Sequence, residues 1–249
     1  MVTQFAEGAI VRAGRQARSI EIAALTGPGN VLVLTPHPDD ESLGCGRAIA
    51  AASRAGRDVL VVVLTDGRLS HPHSRLFPAD RLIALRQAEL VEATRLLTRG
   101  TGEIITLGFP DQGVPEAQAD RAAVRDQLLH LIDARNVTSL WTTWEQDPHP
   151  DHRCAAAIAR QVADARAGLG FWRYPVWGRF IEDAPRAGDV LYRFDGAPFR
   201  PEKRAAIDAY RSQMTDLIPD DPDGFVMDAR ARRHFLESPE LFIGDGNHV

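Results

Sequence analysis

Two aliphatic runs, Val31-Leu32-Val33-Leu34 and Val59-Leu60-Val61-Val62-Val63-Leu64, constrain this chain more than anything else in it. Neither run alternates with polar residues. A strand that is apolar on both faces must be covered on both, as in a parallel sheet sandwiched between helices. The intervening segments fit. Residues 42–55 are rich in Ala and stop at Gly56, while residues 81–99 carry Leu82, Leu85, Leu90, Leu96 and Leu97 with helical periodicity. Further strands are expected at 103–107, 138–143 and 171–177, and further helices at 119–134 and 153–167. Residues up to Leu25 read as an amphipathic helix or partly ordered arm, ended by Gly27-Pro28-Gly29. The tail is less regular, with a short strand at 192–194, a helix at 201–213 and no pattern in the last 25 residues. Such alternation predicts an α/β fold, a mainly parallel sheet with helices on both faces.

Ligands bind such sheets beyond the C-terminal ends of the strands, where strand order reverses. Two clusters of polar residues fall at such ends: Pro36-His37-Pro38-Asp39-Asp40-Glu41 and Asp147-Pro148-His149-Pro150-Asp151-His152. Three adjacent carboxylates repel one another, and a cation relieves that repulsion while employing the histidines. A solvated turn whose acids cap the next helix is the plainer account of one cluster. Two clusters after two strands favour a shared metal ion. Imidazole and carboxylate donors without thiolate suit Zn²⁺ best, with Fe²⁺, Co²⁺ and Mn²⁺ compatible. His37, Asp40 and His152 are the expected ligands. Asp39 is then an uncoordinated carboxylate placed as general base, and His149 the group that stabilises an oxyanion or protonates a leaving amine. Asp151 or Asp147 is expected to hold the His149 ring and raise its pKa. Glu41 is expected to cap the following helix or, preferably, to support the ligands from behind.

Composition narrows the alternatives. At 249 residues the chain suits one large α/β domain over 1–249, with a core at about 30–170 and a tail at 171–249 that completes the fold and the substrate site. A net charge of −5 lacks the basic excess of a nucleic-acid binder. No apolar stretch reaches the ~20 residues of a membrane span, and the N-terminus lacks the continuous apolar core of a signal peptide. Two cysteines, Cys45 and Cys154, make no disulfide framework and point to a reduced, cytoplasmic protein. As small residues on Ala-rich helices they read as buried hydrophobes, with a thiolate ligand the less favoured alternative.

Pro-His-Pro-Asp-Asp-Glu after the first strand, with His149-Pro150-Asp151-His152 far downstream, resembles the LmbE-like/PIG-L family of metal-dependent N-acetylglucosaminyl deacetylases. Leu64-Thr65-Asp66-Gly67, Arg86-x-x-Glu89 and Leu107-Gly108-x-x-Asp111 add to the resemblance, which covers about residues 30–165 and echoes weakly at Tyr210-Arg211-Ser212-Gln213. It implies a Rossmann-like fold and hydrolysis of the acetamide of an N-acetylglucosamine-type sugar or glycoconjugate, with water activated at a zinc ion. His37, Asp40 and His152 match the zinc ligands, Asp39 the base, and His149 the oxyanion-stabilising or acidic residue. Arg86 and Asp111 match positions that contact the sugar or its aglycone. Residues 144–148 and the tail past Gly170 follow no family pattern, leaving the aglycone open.

Other readings stand beside this one. Arg86 and Glu89 are spaced as a surface ion pair, and Asp111 suits a turn. His71 and His73 read as parts of a mobile loop over the site. Trp141, Trp144, Trp172 and Trp177 suit the core as well as sugar stacking. The same site could cleave a bulkier amide on a thiol-sugar conjugate. Gly44-x-Gly46 faintly suggests a nucleotide-binding module, but position 49 is Ile and the acids at 39–41 repel phosphate. A non-catalytic sugar-binding module is the remaining alternative.

Overall fold

The computed structural model describes residues 6–114 and 118–245. The strands are β1 (Arg18–Ser19), β2 (Asn30–Thr35), β3 (Val59–Thr65), β4 (Glu103–Phe109), β5 (Val137–Thr143), β6 (Gly170–Tyr174), β7 (Asp189–Phe194) and β8 (Glu240–Asp245). The helices are α1 (Ala9–Gly14), α2 (Ile22–Thr26), α3 (Asp40–Arg54), α4 (Ala79–Thr98), α5 (Gln118–Ala134), α6 (Pro150–Ala165), α7 (Arg200–Ala209), α8 (Arg211–Met214) and α9 (Ala229–Glu237). Among the described residues one sheet runs in the order β1-β7-β8-β6-β5-β2-β3-β4. From β6 through β4 the neighbours are parallel, whereas β8 is antiparallel to β6 and β7.

The two aliphatic runs are the centre of this sheet. Successive side chains of a strand point to opposite faces. Val31, Val33, Val59, Val61 and Val63 join residues of α3, α4 and α7 on one face. Leu32, Leu34, Leu60, Val62 and Leu64 meet α5 and α6 on the other. Burying each such side chain stabilises by roughly 1.5–3 kcal/mol. The chain adds β3 and β4 on one side of β2 and then returns to pair β5 with its other side. Strand order therefore reverses between β2 and β5, and the loops bearing the two polar clusters leave those two strands.

The N-terminal segment is two short helices and a strand, instead of one amphipathic helix. Its β1 pairs with β7 at the sheet edge. The strand expected to reach residue 177 stops at Tyr174. Pro175 has no N–H to donate, and the amides of Val176 and Gly178 turn to one carboxylate oxygen of Asp147, at 3.1 and 3.0 Å. Trp177–Phe180 then forms a 3₁₀ turn. β8, which sequence periodicity does not reveal, inserts between β6 and β7.

Glycines 44 and 46 serve packing. A side chain at Gly44 would collide with the ring of Tyr174. α3 breaks at Cys45 (φ −138°, ψ 22°), and the tail closes the break. Lys203 Nζ donates to Leu43 O at 2.7 Å, and Glu240 accepts from the amides of Arg47 and Ala48 at 2.7 and 2.9 Å. Burial holds the Lys203 ammonium down to about 8, against the attraction of Glu240.

The 66–79 loop is tied to the tail. Asp221 accepts from His73 N at 2.8 Å, and Asp220 from Ser74 Oγ, Arg75 N and Leu76 N at 2.7, 2.7 and 2.9 Å. The loop that carries His71 and His73 forms part of the cavity wall at Leu69 and Ser70, with His71 buried against Gly224. Among the described residues no helix is long and apolar enough to cross a membrane.

Candidate metal centre and active site

β2 delivers His37 and α3 begins at Asp40, so the first cluster spans a strand end and a helix start. Asp39, between them, has φ 130°, a region that non-glycine residues rarely adopt. Glu41 Oε2 accepts the Asp39 N–H at 3.1 Å. Glu41 Oε1 takes the hydroxyls of Ser42 and Tyr210 at 2.5 and 2.6 Å. Arg86 reaches Asp39 Oδ2 at 3.2 Å and donates to Pro38 O at 2.6 Å and Gly67 O at 3.1 Å. The strained turn is thus braced on its amide, its carbonyl and its carboxylate side.

β5 and the start of α6 deliver the second cluster. Pro150 occupies the first helical position, where its missing N–H costs nothing, and His149 caps the helix by accepting Asp151 N–H on Nδ1 at 3.2 Å. The clusters meet. Asp40 Oδ2 lies 3.0 Å from His37 Nδ1 and 3.2 Å from His152 Nε2. Donors bound at about 2.0–2.1 Å around a tetrahedral zinc stand ~3.3 Å apart. The ring centres of His37, His149 and His152 lie 4.6–5.3 Å from one another. A nitrogen from each of the three falls within 4.8 Å of the other two, a group able to hold a metal ion.

The donor set fits a cation on two further observations. His152 is fully buried, yet neither ring nitrogen has an aligned hydrogen bond. Its Nδ1 stands 3.2 Å from Asp147 Oδ1, so a carboxylate backs the ring on the side away from Asp40. The site also gathers positive charge. Burial disfavours the His37 imidazolium, but the hydrogen bonds its ring donates to Asp151 and Asp40 overcome it and raise the pKa to about 9. His152 is likewise raised, against its burial, by Asp40 and Asp147. Burial would raise Asp40, but His152 and His37 hold it low.

The remaining residues divide clearly. Burial pushes the Asp39 carboxyl up to about 8, against the pull of Arg86. Burial lowers His149 to about 4, and the neighbouring imidazoles His37 and His152 lower it further. The expectation that Asp151 or Asp147 grips the His149 ring is corrected. The Asp151 carboxylate bonds His37 Nε2 at 2.9 Å and Gln112 N at 2.9 Å, and stands 4.0 Å from His149. Each aspartate instead backs a different histidine, because the helix start turns His149 towards the cavity. Its side chain keeps 31% exposure, against 0% for His152.

Arg86 is buried beside Asp39 and is no surface partner of Glu89, which accepts Ser212 N and Oγ at 2.8 and 2.6 Å. Asp111 holds the amides of Gly67 and Leu69 at 2.9 and 2.7 Å. Both line a cavity of about 380 Å³ together with His37, Asp39, Asp40 and His149. Sequence reasoning missed Gln112, Gln213, Leu69 and Phe225 on its walls. Only Tyr210-Arg211-Ser212-Gln213 had left a trace. Of the tryptophans, Trp141, Trp144 and Trp172 are core, and Trp177 lines the cavity.

Asp147 gives a direct check on the centre. Asp147→Asn removes the charge behind His152 and is expected to weaken metal affinity 10–100-fold, read by chelator competition.

A buried imidazole–carboxylate centre at the switch point of an open α/β sheet has the construction of a metal-dependent enzyme. The model of the PIG-L family, described as GlcNAc-PI de-N-acetylase, matches residues 32–163, and the chain belongs to that family. It is 26% identical over 259 aligned residues to a 1D-myo-inositol 2-acetamido-2-deoxy-alpha-D-glucopyranoside deacetylase of Saccharopolyspora erythraea, covering 86% of this chain and 93% of that one. It is 26% identical to the 2'-N-acetylparomamine deacetylase of Streptomyces fradiae, over 64% of this chain and 58% of that protein's length. The N,N'-diacetylchitobiose deacetylase of Pyrococcus horikoshii shares the fold, with a TM-score of 0.67 and 24% identity over 90% of this chain and 86% of that one.

Proposed function

We propose that this protein is a hydrolase of linear amide C–N bonds, a zinc-dependent N-deacetylase that removes the acetyl group from an N-acetylglucosamine-type sugar or glycoconjugate. One observation carries the reading: Asp40 Oδ2 sits between His37 Nδ1 and His152 Nε2, at 3.0 and 3.2 Å, with the Asp39 carboxylate on the adjacent residue. His37, Asp40 and His152 would hold the ion. When bound, it supplies a Lewis acid that makes water nucleophilic near neutral pH and polarises the amide carbonyl.

The chain's own groups do the rest. Asp39, clamped by Arg86, takes a proton from the attacking water in its ionised form, and because burial holds its carboxyl up to about 8 that form grows as pH rises towards and past this value. His149 faces the cavity with Nδ1 occupied by the Asp151 amide, and its lowered pKa of about 4 keeps the ring neutral, so its Nε2–H is placed to donate to the oxyanion. Asp151 orients His37, and Glu41 with Tyr210 keeps Asp39 in its strained conformation. Arg86 and Asp111 stay on the substrate side because they line the cavity. The family and its deacetylase relatives support this assignment of bond type.

The test is acetate and free-amine release from N-acetylglucosamine and simple N-acetylglucosaminides by zinc-loaded protein. Release of a bulkier acid from a thiol-sugar amide, with no acetate from any acetamide, overturns the choice of acyl group. A metal-free preparation that gains nothing from added zinc overturns the choice of mechanism.

A further inference from the structure

We infer, resting on the deacetylase reading, that the natural substrate carries an apolar, uncharged aglycone, alkyl or aryl, bound against Trp177, Phe225 and Leu69. The cavity has two unlike sides. The metal-binding and acid–base groups lie at the strand ends. The outer wall is Trp177 and Phe225, edge to face with ring centres 5.7 Å apart, and Leu69, whose side chain stays 42% exposed at the mouth.

This apolar wall is held in place. Asp147 Oδ2 binds the amides of Val176 and Gly178 around Trp177, and the same carboxylate backs His152 through Oδ1. Phe225 N donates to Ser70 O at 2.7 Å, and Asp111 fixes the Leu69 amide. Leu69 and Val226, 42% and 41% exposed, thus sit on two segments bonded to each other at the rim. Leu69 is the exposed part of this wall, Trp177 and Phe225 extend it as partly buried rings, and a ligand lying across all three removes their remaining apolar surface from water.

Charge removes the main competitors. Arg86 is the one permanent cation on the described cavity wall, and it is committed to Asp39, Pro38 O and Gly67 O. Asp39, Asp40 and Asp111 line the same space. A diphosphate or carboxylate aglycone therefore finds no uncommitted Lys or Arg on the described cavity wall. Near the aromatic wall, Gln213 Nε2 already donates to Ser70 Oγ at 3.3 Å and to Ser212 Oγ at 3.0 Å, which leaves that amide nitrogen no free hydrogen-bond direction for a polyol to take without loss.

The experiment compares methyl, hexyl, phenyl and myo-inositol N-acetylglucosaminides and a nucleoside-diphosphate-linked N-acetylglucosamine, following acetate release by the zinc-loaded chain. The deacetylated hexyl and methyl products are titrated calorimetrically in parallel. Expected is about a tenfold or greater advantage in kcat/KM for hexyl and phenyl over methyl and inositol, with the nucleotide sugar poorest. Product affinity should favour hexyl over methyl similarly, and Phe225→Ala and Leu69→Ser should each shrink that ratio towards one. Acetate release without an apolar preference overturns this inference and leaves the deacetylase reading standing. Hexyl-selective binding without acetate release overturns that reading and keeps the subsite. Neither binding preference nor turnover overturns both.

Discussion

Asp39→Asn is expected to lower acetate release by two to four orders of magnitude while leaving metal content unchanged. Asparagine is the replacement to use, because residue 39 sits at φ 130° and its amide is fixed to Glu41 at 3.1 Å. Asparagine keeps the shape, tolerates unusual positive φ better than most residues, and removes the carboxylate's charge, and with it the basic oxygen and the ion pair to Arg86. Alanine adds a conformational penalty that could be mistaken for a catalytic one. Metal analysis beside the rate measurement separates the adjacent aspartates. Asp40 lies between two imidazoles and Asp39 does not, so Asp39→Asn should retain about one equivalent of metal. Loss of the metal along with activity would show that Asp39 is a ligand, and the roles of the two residues would be exchanged. Retention of metal with near-normal turnover would remove the general-base assignment altogether.

The strand ends were visible because β2 and β3 are buried on both faces and so contain almost nothing but aliphatic residues. The two polar clusters are short, local and adjacent to those strands. Their meeting follows from the strand-order reversal between β2 and β5, a property of the fold class. Side-chain pairing within the centre was not legible. Asp151 precedes His152 and follows His149, and spacing alone cannot say that it serves His37, 114 positions away. The tail was hidden for a related reason. β8 is antiparallel and carries its own mixture of polar and apolar residues, and Glu240 and Lys203 look like surface residues until the break in α3 is seen. Tyr210, Gln213 and Phe225 reach the site from segments with weak periodicity, through contacts that no local pattern encodes.

Replacing His152 tests the centre itself. His152→Ala is expected to cost more metal affinity than the 10–100-fold of the Asp147 change, leaving the dialysed protein essentially metal-free and inactive. The side chain is fully buried, so the substitution also opens a cavity, and lost activity alone would not distinguish a missing ligand from a damaged core. Thermal unfolding with and without zinc does distinguish them. A ligand that binds only the folded state stabilises it by RT ln(1 + [L]/Kd), about 2.7 kcal/mol at a hundredfold excess over Kd. The unaltered protein should therefore gain a concentration-dependent rise in Tm with zinc. His152→Ala should unfold cooperatively at a lower Tm, from the cavity, and show no such rise at the same zinc concentrations. His152→Gln, closer in volume, should recover part of the metal-free Tm without restoring the zinc response. If either variant keeps the full zinc-dependent shift, the ion is held elsewhere, and the convergence of the two strand-end loops has another purpose.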